Sequence, residues 1–404
     1  MGADKRTLYI TDYCLTPGER INNSGILCED NKILAVGGAS AFVKEPGLHV
    51  VELPGAYAMP GFVDTHIHGA GGFDASLAYE ENADISLMSA LLASRGVTSF
   101  VPTVASGPKD KMLAAISCLA SMLERDMPGA EPVGIHVEGP FLCPEKRGSQ
   151  RLEDLRTVDI GLAREIAAAG RGKIIFWTFA PELSGAEKLI ELMLENSIKP
   201  SMGHSQADEE HVLRAVEAGA LRCTHLYNGM PPLHQRDICL TSVALTDDRI
   251  TIEMISDGYH IHPRMVDLAC RSKPKDKLLG ISDAVQAAGL GDGDYRMGLV
   301  DIKVSNGHAV TKDGVIAGTT LTLDKVWYNF LMYSHMKPED SAACFTLNPA
   351  RDAGLQNRGE IAPGKRADIA VFDAFTNKTR LTVVAGKIVH SNGSQEDRQS
   401  ANEQ

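Results

Sequence analysis

The chain has 404 residues, 44% hydrophobic and 23% charged, with 40 Lys and Arg against 52 Asp and Glu for a formal net charge of -12. That length suffices for a large barrel plus a small accessory domain. The acidic balance argues against a nucleic-acid partner or an anionic membrane surface, and no apolar run approaches the roughly 20 residues of a membrane span.

Met1 to Tyr13 mixes Asp4, Lys5 and Arg6 with a short strand at Leu8–Ile10. It lacks the apolar region and cleavage site of a secretory signal. The eight cysteines are scattered without a C-x-x-C pair, which points to reduced, buried thiols in a cytoplasmic protein. Up to about residue 58, short apolar stretches (Leu8–Ile10, Gly25–Cys28, Ile33–Val36) alternate with turn residues and read as strands.

After Met59-Pro60-Gly61 the pattern changes. Apolar runs at Phe62–His68, Val97–Val104, Val133–Glu138, Lys173–Phe179, Pro200–His204, Arg222–Leu226, Ile250–Ile255 and Leu278–Ser282 follow one another. Helix-like segments such as Asp84–Ser94, Lys111–Arg125, Leu162–Ala169, Ala186–Glu195 and Glu209–Ala218 separate most of them. Eight strands alternating with helices predict an α/β fold of the (β/α)8 TIM-barrel type; a doubly wound open sheet shares the alternation. Further helices are expected at Asp324–Met332 and Glu339–Phe345, then late strands at Ile369–Phe372 and Thr382–Val389. The expected architecture is a small β-sandwich domain from residues 1–58 and 360–395 around a barrel spanning 59–359. A polar tail is expected over 396–404, with fraying from Asn392 on.

Polar residues at the strand ends decide between barrel and open sheet. The first run ends Asp64-Thr-His66-Ile-His68, and residues two apart on a strand share a face. Alone, the H-x-H fits either two metal ligands or two polar loop histidines. The third run ends His136-Val-Glu138, whose buried carboxylate needs a proton, a partner or a metal. With no Lys or Arg on that strand, a ligand is favoured over a core salt bridge, and His136 reads as packing or support. The fifth and sixth runs end in His204 and His225, and the eighth in Ser282-Asp283. Such residues converge in the mouth of a closed barrel but spread apart along an open sheet, so the barrel is favoured. Asp283 is then placed to take a proton from a bound water, although a lone Asp at a strand end also serves as a helix cap.

These strand-end residues resemble the amidohydrolase superfamily. His136-Val-Glu-Gly-Pro-Phe-Leu, Lys146-Arg-Gly, Gly203-His-Ser, His225-Leu-Tyr-Asn-Gly-Met, Ser256-Asp-Gly-Tyr-His-Ile-His-Pro and Ser282-Asp-Ala resemble its N-acetylglucosamine-6-phosphate deacetylase branch. So do the closing Asn348-Pro-Ala-Arg and Gly364-Lys-Arg-Ala-Asp.

The resemblance implies that Glu138, His204 and His225 bind one divalent metal and that His66 and His68 bind a second, with Glu138 bridging. One or two ions per chain are expected, zinc foremost, with iron and manganese as alternatives. Asp283 becomes the catalytic acid/base. Ser149, Gln150, Asn228, Gly229, His260 and the Ile316-Ala317-Gly318 loop would line the substrate site. Arg236 would pair with the phosphate, donated across a homodimer interface; without the motif it and His260 read as ordinary loop residues. Asp64 is read as orienting the first strand, and Asp257 as supporting or capping its loop.

Two positions depart from the branch: many members carry Ala at Gly229 and often His at Gln150. The backbone N–H survives at Gly229, so little change is expected there, whereas Gln150 cannot carry a charge. The implied reaction converts N-acetylglucosamine 6-phosphate to glucosamine 6-phosphate and acetate. The alternatives are the galactosamine epimer, a cyclic-amide hydrolase of the same superfamily, and a non-catalytic barrel. The cyclic-amide enzymes use a lysine at the end of strand four, where this chain has Trp177-Thr-Phe-Ala180. Non-catalytic relatives typically lose ligands, and every ligand position here is filled.

Overall fold

In the computed structural model, which describes residues 6–42 and 47–392, the apolar runs become eight barrel strands. In order they are Phe62–Ile67, Val97–Ala105, Ile135–Glu138, Ile174–Phe179, Lys199–Met202, Arg222–Cys223, Thr251–Met254 and Leu278–Gly280. Each pairs in parallel with the next. The eighth returns to the first through the chain just beyond it: Asp283 N donates to His66 O at 2.9 Å, and His68 N to Ala284 O at 2.8 Å. At the other end Phe345 and Cys344 fill the seam, accepting from Val63 N and Gly280 N. Near-complete burial of these strands on both faces explains why they read as continuous apolar runs.

Helices cover the barrel where the 3.6-residue period foretold them, including Ile85–Ala93, Lys109–Met122, Ile160–Ala169, Ala186–Glu195 and Glu209–Glu217. Asp84, Asp159 and Asp208 cap three of them by accepting from Ser86, Leu162 and His211 backbone N–H groups. Helix Glu209–Glu217 presents Val212, Ala215 and Val216 to the barrel, the spacing of an amphipathic helix.

Both chain ends contribute to a second sheet of seven strands: Arg6–Thr16, Glu19–Glu29, Lys32–Gly38, His49–Pro60, Ile369–Asp373, Thr379–Val384 and Lys387–Ser391. It is one continuous ladder that wraps back on itself, with Ile33 N donating to Lys365 O and Gly364 N to Ile33 O. Tyr9, Ile26, Ile33, Leu53, Ile369 and Val383 fill its own core. Met59 and Pro60 still belong to this sheet, paired with Ala370 and Ile369, so the passage to the barrel falls at Gly61. The expected polar tail lies outside the described residues.

A third, three-stranded antiparallel sheet (Gly293–Met297, Val300–Ser305, His308–Thr311) projects after the eighth barrel strand. Asp74 ties it down by accepting from Gly298 N at 2.8 Å, and Arg296 pairs with Glu80 at 2.9 Å. This sheet brings Met297 and the following Val315–Gly318 segment over the barrel mouth.

Candidate active site

Three of the strand-end residues carry left-handed backbone: His204 at φ 47°, His225 at 28° and Asp283 at 47°. For residues other than glycine such conformations cost about 1–3 kcal/mol each and persist where surroundings enforce them. Asp283 is enforced by its N–H on His66 O and by its carbonyl, which accepts from Thr319 N at 2.8 Å. The result is that side chains from the first, third, fifth, sixth and eighth strands meet in one mouth.

Glu138 lies at the middle. Its Oε1 is 3.2 Å from His204 Nε2, 3.1 Å from His225 Nε2 and 3.5 Å from His66 Nε2. Its Oε2 is 3.5 Å from His68 Nε2 and accepts from Gln150 Nε2 at 2.8 Å. Asp283 Oδ1 stands 3.2 Å from His68 Nε2 and 3.5 Å from His66 Nε2. Two triads with metal-ligand chemistry result, His66–His68–Asp283 and Glu138–His204–His225, all buried. One carboxylate touches both, as a bridging ligand must.

The electrostatics fit a cation. Burial alone would raise the Glu138 carboxyl, but His204, His225 and His66 hold it well below the usual range. Asp283, also buried, is held at about 2 by His66, His68 and His225. Burial would depress His68 and His225; hydrogen bonds and charge from Asp283 and Glu138 instead lift each to about 9. The carboxylates facing His68 and His225 favour positive charge there, and a divalent ion bound at those rings must displace their protons. His66 Nε2, fully buried, makes no hydrogen bond, and neither does His68 Nδ1.

Beside this centre opens a cavity of about 240 Å³. Ser149, Gln150, Asn228, Gly229, His260, Ile316 and Gly318 line it, as do Gly148, from the Lys146-Arg-Gly motif, and Met297 and Val315, which the sequence had not singled out. Ala317 instead turns into an apolar cluster with Val285, Met297 and Ile302. Asp257 Oδ1 accepts from the Tyr259 and His260 backbones, and its Oδ2 sits 2.7 Å from His260 Nδ1. It thus caps the loop and fixes the ring, leaving Nε2 as the other ring nitrogen. Asp64 accepts from Ser282 N at 3.2 Å, joining the first strand to the eighth. His136 bonds Thr178 Oγ1 at 2.7 Å and packs its ring edge-on against His66.

Two departures acquire a physical meaning. Gly229 has φ 61°, and a Cβ there would stand 2.9 Å from His204 Nδ1. Alanine would press on a metal-triad ring, so the substitution is less neutral than the retained N–H suggested. Gln150 is almost fully buried; it donates to Glu138 and accepts from Ser106 N at 3.0 Å. Arg236 lies on the exposed 231–238 segment and does not line the cavity of its own chain. The residue missed altogether is Glu253, on the seventh strand, within 3.1 Å of His66 Nδ1. Its signal was the one used for Glu138, a lone carboxylate in an apolar run.

Residues 57–389 match the amidohydrolase family. The chain is 34% identical to the N-acetylglucosamine-6-phosphate deacetylase of Bacillus subtilis, over 95% of this chain and 97% of that one. It is 31% identical to the N-acetylgalactosamine-6-phosphate deacetylase of Escherichia coli O157:H7, over 86% of this chain and 91% of that one. Among solved structures it resembles N-acetyl-D-glucosamine-6-phosphate deacetylase from Mycobacterium smegmatis, with a TM-score of 0.87, 31% identity and 95% and 100% of the two chains covered. An enamidase at 15% identity and TM-score 0.64 shares the fold. Fold, strand-end ligand geometry and sequence agree: the chain belongs to the amidohydrolase family, in its N-acetylglucosamine-6-phosphate deacetylase branch.

Proposed function

We propose that this chain is a metal-dependent deacetylase of N-acetylglucosamine 6-phosphate, releasing acetate and glucosamine 6-phosphate. The observation that carries this is the convergence of Glu138, His204, His225, His66, His68 and Asp283 within one mouth. The galactosamine epimer is the second reading, supported by the likeness to the Escherichia coli enzyme.

Glu138, His204 and His225 would hold one ion, and His66 and His68 a second, with zinc the preferred metal and iron or manganese the alternatives. Bound there, the metal would supply an acidified water and polarise the acetyl carbonyl. Asp283 Oδ1 takes the proton of the attacking water and then delivers it to the departing amine nitrogen. The new C–O bond forms first, making the acetyl carbon tetrahedral; the C–N bond then breaks as its nitrogen takes the proton from Asp283, so the amine leaves neutral and the acetic acid formed ionises to acetate. His260, fixed by Asp257, contacts the substrate near the amide, while Ser149, Gln150, Asn228, Gly229 and the 316–318 loop orient the sugar. Eight unpaired cysteines, six of them buried, support a cytoplasmic setting.

Phosphate recognition falls to Arg236, acting across a homodimer. Its exposure, its absence from its own chain's cavity and the exposed Leu233 and Ile238 beside it support that assignment. Arg236→Ala should weaken binding of the 6-phosphate strongly and barely touch the unphosphorylated sugar; equal losses on both remove the phosphate role. Mixing Arg236→Ala subunits with Asp283→Asn subunits then tests the geometry. If the arginine crosses the interface, roughly a quarter of sites regain both residues under random pairing. If it acts within its own chain, mixing restores nothing.

A further inference from the structure

Glu253 and Arg222 form a fully buried ion pair inside the barrel, beneath the metal centre. Arg222 is held through Nε and Nη2, while its buried Nη1 has no hydrogen-bond partner. Its Nη2 donates to Glu253 Oε1 and, at 3.1 Å, to Thr65 Oγ1; its Nε donates to Asp352 Oδ2 at 2.8 Å. Its guanidinium lies 3.8 Å over the Phe176 ring. A buried pair of this kind is weak evidence for stability, because desolvation offsets most of the attraction. Its use is better sought in what the free oxygen of Glu253 does.

That oxygen, Oε2, serves two groups from different halves of the centre. It lies 3.1 Å from His66 Nδ1 and accepts from the His225 backbone N–H at 3.1 Å. An ionised carboxylate only accepts, so the His66 proton must sit on Nδ1, leaving the Nε2 lone pair for a metal. The same atom satisfies the N–H of a residue held at φ 28°. We propose that Glu253, braced by Arg222, is a positioning residue that couples the two halves of the metal centre. Through one oxygen it holds His66 in its metal-binding tautomer and His225 in its strained strand-end conformation.

This inference rests on the two-ion reading above, and the test separates the two. In Glu253→Gln the amide oxygen faces Arg222, which can only donate, so the amide NH2 replaces Oε2. It then confronts the His225 N–H with a second donor. It can bond His66 only if the ring moves its proton to Nε2, which removes the metal-binding lone pair. Wild-type and variant chains, stripped of metal, are titrated with Zn2+ by calorimetry and with Co2+ by absorption spectroscopy. Wild type should take two equivalents, and the variant should bind the second roughly 10–100-fold more weakly, the range for loss of such a supporting group. Two equivalents at wild-type affinity in Glu253→Gln overturn the inference. A wild type that takes fewer than two equivalents overturns the two-ion reading itself, and does so without the variant. Asp352→Asn weakens the brace on Arg222 without touching His66; it should lower Tm but keep both equivalents. An equal loss of the second equivalent there would mark a general loosening and contradict the role. Should Glu253→Gln strand the buried Arg222 and fail to fold, Glu253→Gln combined with Arg222→Gln removes that charge and is read by the same criteria.

Discussion

Asp283→Asn is expected to slow the chemical step by about 10²-fold or more while substrate still binds. The amide cannot accept the water's proton, so neither proton transfer in the proposed reaction has a carrier. The fold should survive, because Asn tolerates the left-handed backbone that Asp283 adopts at φ 47°. Its backbone bonds to His66 and Thr319 are independent of the side chain. Phosphate and sugar contacts lie elsewhere, so KM should change little beside kcat. Near-normal turnover would make Asp283 structural and shift attention to Asp257, the carboxylate held against His260 of the cavity lining.

His225→Ala should abolish nearly all turnover by removing the essential ion. The His225 ring stands 3.1 Å from both Glu138 Oε1 and His204 Nε2, so its loss opens the triad at its centre. His204→Ala should behave alike. His66→Ala acts on the other half and should lower metal content from two ions to one. Elemental analysis after metal-replete purification reads all three. Full metal content in His225→Ala, or a content unchanged between wild type and His66→Ala, would contradict the assigned ligand sets.

Much of the centre was legible because strand geometry is simple. The period of two placed His66 with His68, and the strand ends placed Glu138, His204, His225 and Asp283 in one mouth. Glu253 and Arg222 were not legible as a pair. They sit on different strands, 31 residues apart, and each alone looks like an isolated charge. The three-stranded sheet over the mouth was missed although Val300, Ile302 and Val304 alternate with polar residues. Its position depends on tertiary ties such as Asp74 to Gly298. The strands at both chain ends were read as strands of one small domain, but the single wrapped ladder they form was not. That ladder depends on the parallel pairing of Arg6–Thr16 with His49–Pro60, a register no local pattern encodes. Ala317 shows the same limit at one residue: its loop was found, but not that its methyl turns away from the cavity.

The most direct test of the whole reading is acetate release from N-acetylglucosamine 6-phosphate by the purified chain, with metal content measured on the same sample. Stripping the metal should abolish release and adding back Zn2+ should restore it, with the unphosphorylated sugar turned over far more slowly. Acetate release that is unaffected by complete metal removal, or no release from either 6-phosphate epimer by the metal-loaded chain, would contradict it.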